Sequence, residues 1–167
     1  MRILAVDPSL RSTGFAVLER VSNKIRPLEY GIIKNPPALL QSSCLVAIRE
    51  RLGELIQRHE PECAAIEAVI FVQSYRTAIT LGSARGAALV ALAERGLPVY
   101  EYAPRRVKQA VVGRGGAVKS QVGFMIRALL GLTENPPEDA ADALAIGLTH
   151  FQAHDSASRL KKELDRI

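Results

Sequence analysis

Short, continuously apolar segments alternate along this chain with longer segments whose apolar residues recur at helical spacing. The first apolar run, residues 3–6, is followed directly by Asp7 and a proline. An unbroken run of this length is typical of a strand buried on both faces, and proline ends it because proline cannot donate to a strand ladder. Residues 14–20 and 25–33 predict two more strands. Together these segments predict a three-stranded antiparallel meander.

The rest of the chain predicts helices that alternate with two further buried strands. Residues 39–59 and 77–95 have helical character, and residues 63–67 and 99–102 predict short strands. Shorter helices are predicted over residues 104–112, 119–130 and 138–151, and the polar tail, residues 153–167, is predicted to be a loosely attached helix. This order predicts an α/β fold with a mixed five-stranded sheet, three antiparallel strands and then parallel ones, flanked by helices in a single domain of residues 1–152.

Composition excludes several classes of protein. The chain has 167 residues, of which 48% are hydrophobic and 23% charged, so a single globular domain is expected rather than a disordered chain. No apolar run is long enough for a membrane span, and residues 3–6 are too short for the core of a signal peptide. We therefore expect a cytoplasmic protein without membrane contact. Cys44 and Cys63 have no paired spacing, which predicts reduced, packed thiols.

The positive charge of the protein is confined to one segment. The formal net charge is +5, yet residues 102–133 contain six cations and no acid, so the rest of the chain has a net charge of −1. Four acids follow this segment without an intervening cation. A basic segment beside an acidic cluster is expected where a protein binds phosphates and metal ions, although a solvated basic face is the ordinary alternative. The cations are Arg105, Arg106, Lys108, Arg114, Lys119 and Arg127, and the acids are Glu134, Glu138, Asp139 and Asp142.

Four carboxylates form a candidate catalytic group. Asp7 ends the first predicted strand and Glu67 ends the fourth, so both side chains leave the same edge of the sheet if these strands are neighbours. Asp139 and Asp142 are three residues apart and share one face of a predicted helix. Carboxylate oxygens select Mg²⁺ or Mn²⁺, and two such ions suit in-line phosphoryl transfer. Singly, each acid also fits an ordinary turn, strand end or helix N-terminus.

Other catalytic arrangements find little support in the sequence. His59, His150 and His154 lack the spacing of metal ligands. His150 lies about two helical turns after Asp142, which allows a secondary role near the site, but we favour an ordinary helix-end histidine. The chain has neither a Ser/His/Asp arrangement nor a Walker phosphate-binding motif, so catalysis by a nucleophilic side chain is not expected.

Ordered blocks covering residues 3–150 resemble the RuvC-type Holliday-junction resolvases, which have the ribonuclease H-like fold. The blocks read VDPSLRSTGFAVL, AAIEAVIF, LGSARGAALVA, YAPRRVKQAVVGRGGAVKSQV and NPPEDAADALAIGLTH. The resemblance implies that Asp7, Glu67, Asp139 and Asp142 bind metal and are catalytic, with two Mg²⁺ or Mn²⁺ ions in each active site. It also implies functional roles for Lys108 and Lys119, of which we assign Lys119 to catalysis.

The implied activity is the structure-selective cleavage of four-way DNA junctions in recombination and repair. The implied assembly is a homodimer whose partners include the branch-migration proteins. The small residues of helix 77–95 allow close approach, which we expect mainly against the sheet, although the same helix can also serve a dimer. The residues expected to bind DNA are Lys108, Arg105, Arg106, Arg114, Phe71, Tyr75 and Arg76.

This sequence departs from the family pattern at two places. Ser9 stands where such proteins usually have glycine, so the turn after Asp7 is expected to differ slightly. The usual aromatic residue three positions after the catalytic glutamate is replaced by Ile70, and Phe71 follows it. Phe71 or Tyr75 could wedge against unstacked junction bases, but core packing is an equal alternative for Phe71.

Three other functions are alternatives to junction resolution. Actin-like or sugar-kinase ATPases begin with a similar strand and hairpin, but they need a second phosphate hairpin and a second domain, which we do not find in this sequence. A nuclease for RNA:DNA hybrids is a closer alternative. A non-catalytic junction-binding module is the third, and the complete set of four acids argues against it.

Overall fold

The computed structural model describes residues 1–69, 74–160 and 164–167, which contain five strands and five helices. The order of these elements along the chain is the predicted one. Their bounds are β1 Arg2–Asp7, β2 Ser12–Val21, β3 Lys24–Lys34, α1 Gln41–His59, β4 Cys63–Glu67, α2 Tyr75–Ala93, β5 Val99–Tyr102, α3 Pro104–Val112, α4 Lys119–Leu130 and α5 Glu138–Leu160.

The five strands form one mixed sheet in the order β3-β2-β1-β4-β5. The first three strands pair antiparallel, whereas β4 pairs parallel with β1 and β5 pairs parallel with β4. This arrangement confirms the predicted α/β class and the predicted change from antiparallel to parallel pairing. It places β1 at the centre of the sheet, beside β4.

Helices cover both faces of the sheet and explain the unbroken apolar sequence of β1. Ile3 and Ala5 pack into a core shared with α3, α4 and α5. Leu4 and Val6 point the opposite way, into a core shared with α1 and α2. Because successive strand residues face opposite sides, a central strand between two helical layers needs apolar residues at every position.

Helix α2 buries one face and exposes the other. Its small residues enter the core that α1 shares with the sheet, and Ala84 and Ala88 are fully buried there. The small residues therefore pack inside the protein, but mainly against α1 rather than mainly against the sheet as predicted. On the outer face, the exposed fraction is 76% for Tyr75, 67% for Ile79 and 48% for Val90.

The final helix is longer than predicted. We predicted that it ends at Phe151 and that a separate, loosely attached helix follows; this is wrong, because α5 continues without a break to Leu160. Ala153 is buried, and Asp155 pairs with Arg20 of β2 at 2.6 Å. These contacts, which local polarity does not reveal, stabilise the added turns. Near the end of the chain, the Ile167 amide donates to the Val99 carbonyl oxygen at 3.0 Å.

Two expectations concerning covalent bonds and membranes can be compared with the described residues. Cys44 and Cys63 are both free and buried, as predicted. None of the helices in the described part of the chain combines the length and apolar character that crossing a bilayer requires.

Candidate active site

Asp7 and Glu67 lie side by side at the carboxyl edge of the parallel strands. Val6 of β1 is paired with Ile66 of β4, so the next residue of each strand is one of the two acids. The condition set by the sequence, neighbouring strands with matching ends, is met. The side chains line a cleft of about 350 Å³ together with residues from α2 and the start of α3.

The N-terminal turn of α5 reaches this edge because β2 contains a glycine at the crossing point. Gly14 is paired with Asp7 in the antiparallel ladder. A Cβ atom at Gly14 would lie 2.0 Å from the carbonyl oxygen of Asp139, so only glycine allows this close approach. Gly14 therefore lets the first turn of α5 lie against the strand residue opposite Asp7.

A second contact fixes the Asp139 side chain. The hydroxyl of Ser12, at the start of β2, donates to Oδ2 of Asp139. The contact holds one carboxylate oxygen in place and leaves the other available. Removing a group that orients a metal ligand in this way commonly lowers the affinity for the metal. Ser12 is thus a positioning residue that the sequence did not reveal, since its partner lies 127 positions along the chain.

Burial and repulsion from neighbouring acids make Asp7, Glu67 and Asp142 costly to ionise. Burial, and then the charges of Glu67, Asp142 and Asp139, raise the pKa of Asp7 to about 8. Burial and the charge of Asp142 likewise raise the pKa of Glu67 to about 7, and burial raises the pKa of Asp142. Acids that share a poorly solvated volume favour a cation that neutralises them.

Two lysines offset part of this negative charge. Lys119, the first residue of α4, pairs with Glu138, and its Nζ lies 3.7 Å from Oδ2 of Asp142. The hydrogen bond that Lys119 donates to Glu138, together with the charges of the nearby acids, raises the pKa of Lys119. Lys108 of α3 is close enough for its charge to oppose the rise in the pKa of Glu67. The structure therefore brings both predicted lysines to the predicted carboxylates.

The donor set fits a hard divalent cation, but it is not a closed cage. Among the residues that the structure describes, no three carboxylate, imidazole or thiol side chains converge closely enough to hold a metal ion as they stand. Asp7, Glu67, Asp139 and Asp142 nevertheless offer only oxygen ligands, are partly desolvated and repel one another. This chemistry suits Mg²⁺ or Mn²⁺, which retain water and substrate oxygens in their coordination shells.

The turn after Asp7 accommodates Ser9 without backbone strain. Ser9 does not adopt a positive φ angle. The buried Thr13 closes the turn, because its hydroxyl donates to the Ser9 carbonyl oxygen at 2.6 Å and accepts from the Ser9 amide at 3.2 Å. A serine is therefore compatible with this position.

The predicted DNA-binding residues lie on several elements around the cleft. Arg105 lines the cleft at the start of α3, and the neighbouring Arg106 stacks on the ring of Tyr102 at 5.2 Å. Arg114 is exposed in the loop after α3. At the start of α2, Tyr75 and Arg76 are exposed, and Arg76 lines a groove beside Ser9 and Leu10. Phe71 and Ile70 lie outside the described residues.

His150 belongs to a buried cluster instead of a helix end. Its Nδ1 hydrogen-bonds with the hydroxyl of Tyr102 at 2.8 Å, and its Nε2 lies 3.4 Å from Sγ of Cys63. Burial lowers the pKa of His150 to about 4, so the imidazole is neutral at pH 7. The helix-end interpretation is wrong because α5 continues for ten residues beyond His150.

The sheet order, the carboxylate edge and the flanking helices define a protein of the ribonuclease H-like fold with an acidic site suited to metal-dependent chemistry. A family model described as crossover junction endodeoxyribonuclease RuvC matches residues 3–150. The chain therefore belongs to the RuvC family, a family of metal-dependent endonucleases.

Individual relatives agree with this assignment. The RuvC of Akkermansia muciniphila is 54% identical over 93% of each chain, and that of Pelotomaculum thermopropionicum is 42% identical over 96% of this chain and 99% of its own. The solved structure of Thermus thermophilus RuvC with a Holliday junction substrate superposes with a TM-score of 0.90, at 36% identity, over 100% of this chain and 99% of that one. A yeast mitochondrial Holliday junction resolvase, 13% identical with a TM-score of 0.66, shares the fold over 95% of this chain and 82% of its own.

Proposed function

We propose that this chain is a structure-selective endonuclease that resolves four-way DNA junctions in recombination and repair. The observation that carries the proposal is the meeting of four carboxylates, from β1, β4 and α5, at one edge of the sheet beside a basic segment. The names of the relatives support it, as does the junction substrate bound to the Thermus thermophilus relative.

In this proposal Asp7, Glu67, Asp139 and Asp142 hold two Mg²⁺ or Mn²⁺ ions. Such ions, when bound, supply activation of a water molecule and stabilisation of the leaving 3′ oxygen. The protein contributes rigid placement, because two acids end neighbouring strands and the others lie in successive turns of α5. Ser12 orients Asp139, and Gly14 sets the distance between α5 and the sheet.

The lysines act on the phosphate of the strand that is cut. Lys119 has an exposed fraction of 59%, so its ammonium group is accessible to DNA while it stays beside Asp142. We assign it to neutralising the charge that develops on the phosphoryl group, and Lys108 to holding the strand. Arg105, Arg106 and Arg114 bind neighbouring phosphates, which positions DNA without reading its sequence.

The start of α2 is assigned to the branch point of the junction. The Tyr75 ring is exposed and can stack on an unpaired base, and Arg76 beside it supplies a positive charge. Phe71 is a second candidate for stacking in the segment before α2. These contacts would favour branched DNA, whose bases are unstacked at the centre.

We infer that two copies of the chain act together. A four-way junction is released when two symmetric strands are cut, and two sites related by a two-fold axis can make both cuts. The exposed Ile79 and Val90 on the outer face of α2 support a surface for a second copy. Further proposed features are a single nuclease domain that includes all of α5, cooperation with branch-migration proteins and a cytoplasmic location.

The experiment is a comparison of metal-dependent cleavage on four synthetic substrates: a four-way junction, a Y-shaped DNA, a DNA duplex and an RNA:DNA hybrid. We expect Mg²⁺-dependent cuts in the four-way junction and at least about tenfold slower cleavage of the other three. Equal cleavage of the branched and unbranched DNA would contradict the proposed selectivity. Preference for the hybrid would favour the rival ribonuclease function, and junction binding without cleavage would favour a binding module.

A further inference from the structure

Arg85 is a cation that lines the active-site cleft and has no role in the reaction proposed above. It lies in α2, in a stretch of small residues, and lines the same cleft as Asp7 and Glu67. Arg105 lines this cleft from the start of α3. The cleft that is lined by two of the carboxylate residues is therefore also lined by two arginines.

Arg85 is held by an acid that is adjacent to the catalytic edge. Its Nη2 donates to Oε1 of Glu101 in β5. Glu101 is paired with Ile66 in the parallel ladder, one position before the pair formed by Glu67 and Tyr102. Glu101 therefore projects toward α2, like Ile66, and holds the guanidinium on that face of the sheet, one strand position before Glu67.

The pair leaves part of the guanidinium without a partner. Arginine has five N–H donors, and one carboxylate satisfies at most two of them well. Within the described residues, Nε of Arg85 is buried and has no hydrogen-bond partner. The side chain as a whole retains an exposed fraction of 23%, so it is restrained but still reached from the cleft.

An anion in the cleft would accept from the Nη donors that Glu101 leaves without a partner, whereas the buried Nε lies out of its reach. A DNA strand that approaches Asp7 and Glu67 brings its own negative charge toward acids that already repel one another. A fixed guanidinium lowers this repulsion, and its planar donors match the oxygens of a phosphodiester. If Arg85 only linked α2 to β5, its ion pair with Glu101 would be sufficient, and the side chain would not have to line the cleft.

We propose that Arg85, held by Glu101, binds a backbone phosphate of the strand that is cut, close to the scissile phosphate. The inference rests on the proposed function, because it takes junction DNA as the ligand. Arg85 acts here as a phosphate-binding residue and Glu101 as the residue that positions it.

The test measures junction binding in EDTA, where cleavage is suppressed, for the wild type and Arg85→Gln over a range of salt concentrations. We expect Arg85→Gln to weaken binding about tenfold and to reduce the slope of log affinity against log salt by about 1. Arg85→Lys retains the charge, so we expect it to keep the slope with a smaller loss of affinity. Circular dichroism of each variant reports whether it is folded.

The matched control removes a cation from another arginine–glutamate pair, one that joins α1 to the end of α2. Arg49 of α1 donates to Glu94, just after α2, from Nη2 at 2.9 Å and from Nε at 3.0 Å. This pair does not line the cleft. We expect Arg49→Gln to leave the salt slope and the junction affinity unchanged.

Single methylphosphonate substitutions in the junction then locate the contact. For the wild type, one neutral linkage within about three nucleotides of the cut should weaken binding by a factor similar to that of Arg85→Gln, and Arg85→Gln should no longer respond to it. If Arg85→Gln retains the salt slope and every methylphosphonate effect of the wild type, the pair is structural and the inference is overturned. Failure of the proposed function is seen separately, as loss of substrate preference by the wild type.

Discussion

Replacing Asp7 with asparagine is expected to reduce metal-dependent cleavage of a four-way junction by about a thousandfold or more. Asparagine has nearly the same shape, but it removes the charge from the residue at the centre of the carboxylate edge, where β1 meets β4 and α5. Junction binding should be largely retained, because the proposed phosphate contacts come from Lys108 and the arginines around the cleft. Single-turnover cleavage and a binding titration on the same junction separate the two effects.

The same replacement should stabilise the protein when no metal is present. Burial and three neighbouring acids raise the pKa of Asp7 from 3.8 to about 8. At pH 7 the unfolded state ionises Asp7 freely, whereas the folded state must either keep it protonated or bury its charge, and this difference lowers the free energy of unfolding. Removing this acid should raise the free energy of unfolding in EDTA by about 1–3 kcal/mol. Mg²⁺ should then raise the melting temperature of the wild type more than that of the variant.

Glu50→Gln is the control, because Glu50 is an exposed acid on α1 that does not line the cleft. It should change neither cleavage nor the response to Mg²⁺. Metal-dependent cleavage by Asp7→Asn at the wild-type rate would contradict the proposed role of this carboxylate.

Replacing Gly14 with alanine is expected to disable the site without removing any functional group. The new Cβ atom would meet the backbone of Asp139, at 2.0 Å from its oxygen and 2.6 Å from its carbonyl carbon. Because both contacts are with backbone atoms, the first turn of α5 must move away from β2 and take Asp139 and Asp142 with it. A displacement of about 1 Å is enough to reduce cleavage about a hundredfold.

We expect Gly14→Ala to lower the free energy of unfolding by about 1–3 kcal/mol, as overpacking at a close contact commonly does. It should also weaken the stabilisation by Mg²⁺, which is measured by thermal unfolding with and without metal. Gly123→Ala in α4 is the matched control, since a Cβ atom there meets nothing within 4 Å. That variant should keep its activity and gain about 0.5–1 kcal/mol. Wild-type cleavage and stability in Gly14→Ala would contradict this account of the close approach.

The sequence was sufficient to predict features whose cause is local or periodic. Asp7 and Glu67 each end a short apolar run, and matching strand ends brought them together. Asp139 and Asp142 share a helix face because they are three residues apart. The change from antiparallel to parallel pairing followed from the order of strands and helices. In each case the pattern that carries the information is contained within a few neighbouring residues.

Features that depend on distant partners were not predicted. Ser12 reaches Asp139 only because β2 lies under the start of α5, and Arg85 meets Glu101 only because α2 packs beside β5. The sequence predicts too early an end for α5, because Asp155 pairs with Arg20, which lies 135 positions away in the sequence. His150 was assigned to a helix end for the same reason, although it is enclosed by Tyr102 and Cys63. The small-residue stretch of α2 contains one charged residue, which is a local signal for Arg85, but no role is predicted from it.

The central claim is that paired carboxylate sites resolve four-way junctions, and cleavage of a supercoiled plasmid that extrudes a cruciform tests it most directly. In Mg²⁺ the account predicts linear duplex products that carry two symmetric nicks across the junction, formed within a single binding event, and no such product in EDTA or with Asp7→Asn. Accumulation of singly nicked circles alone, or linear products that form without a divalent metal, would contradict it.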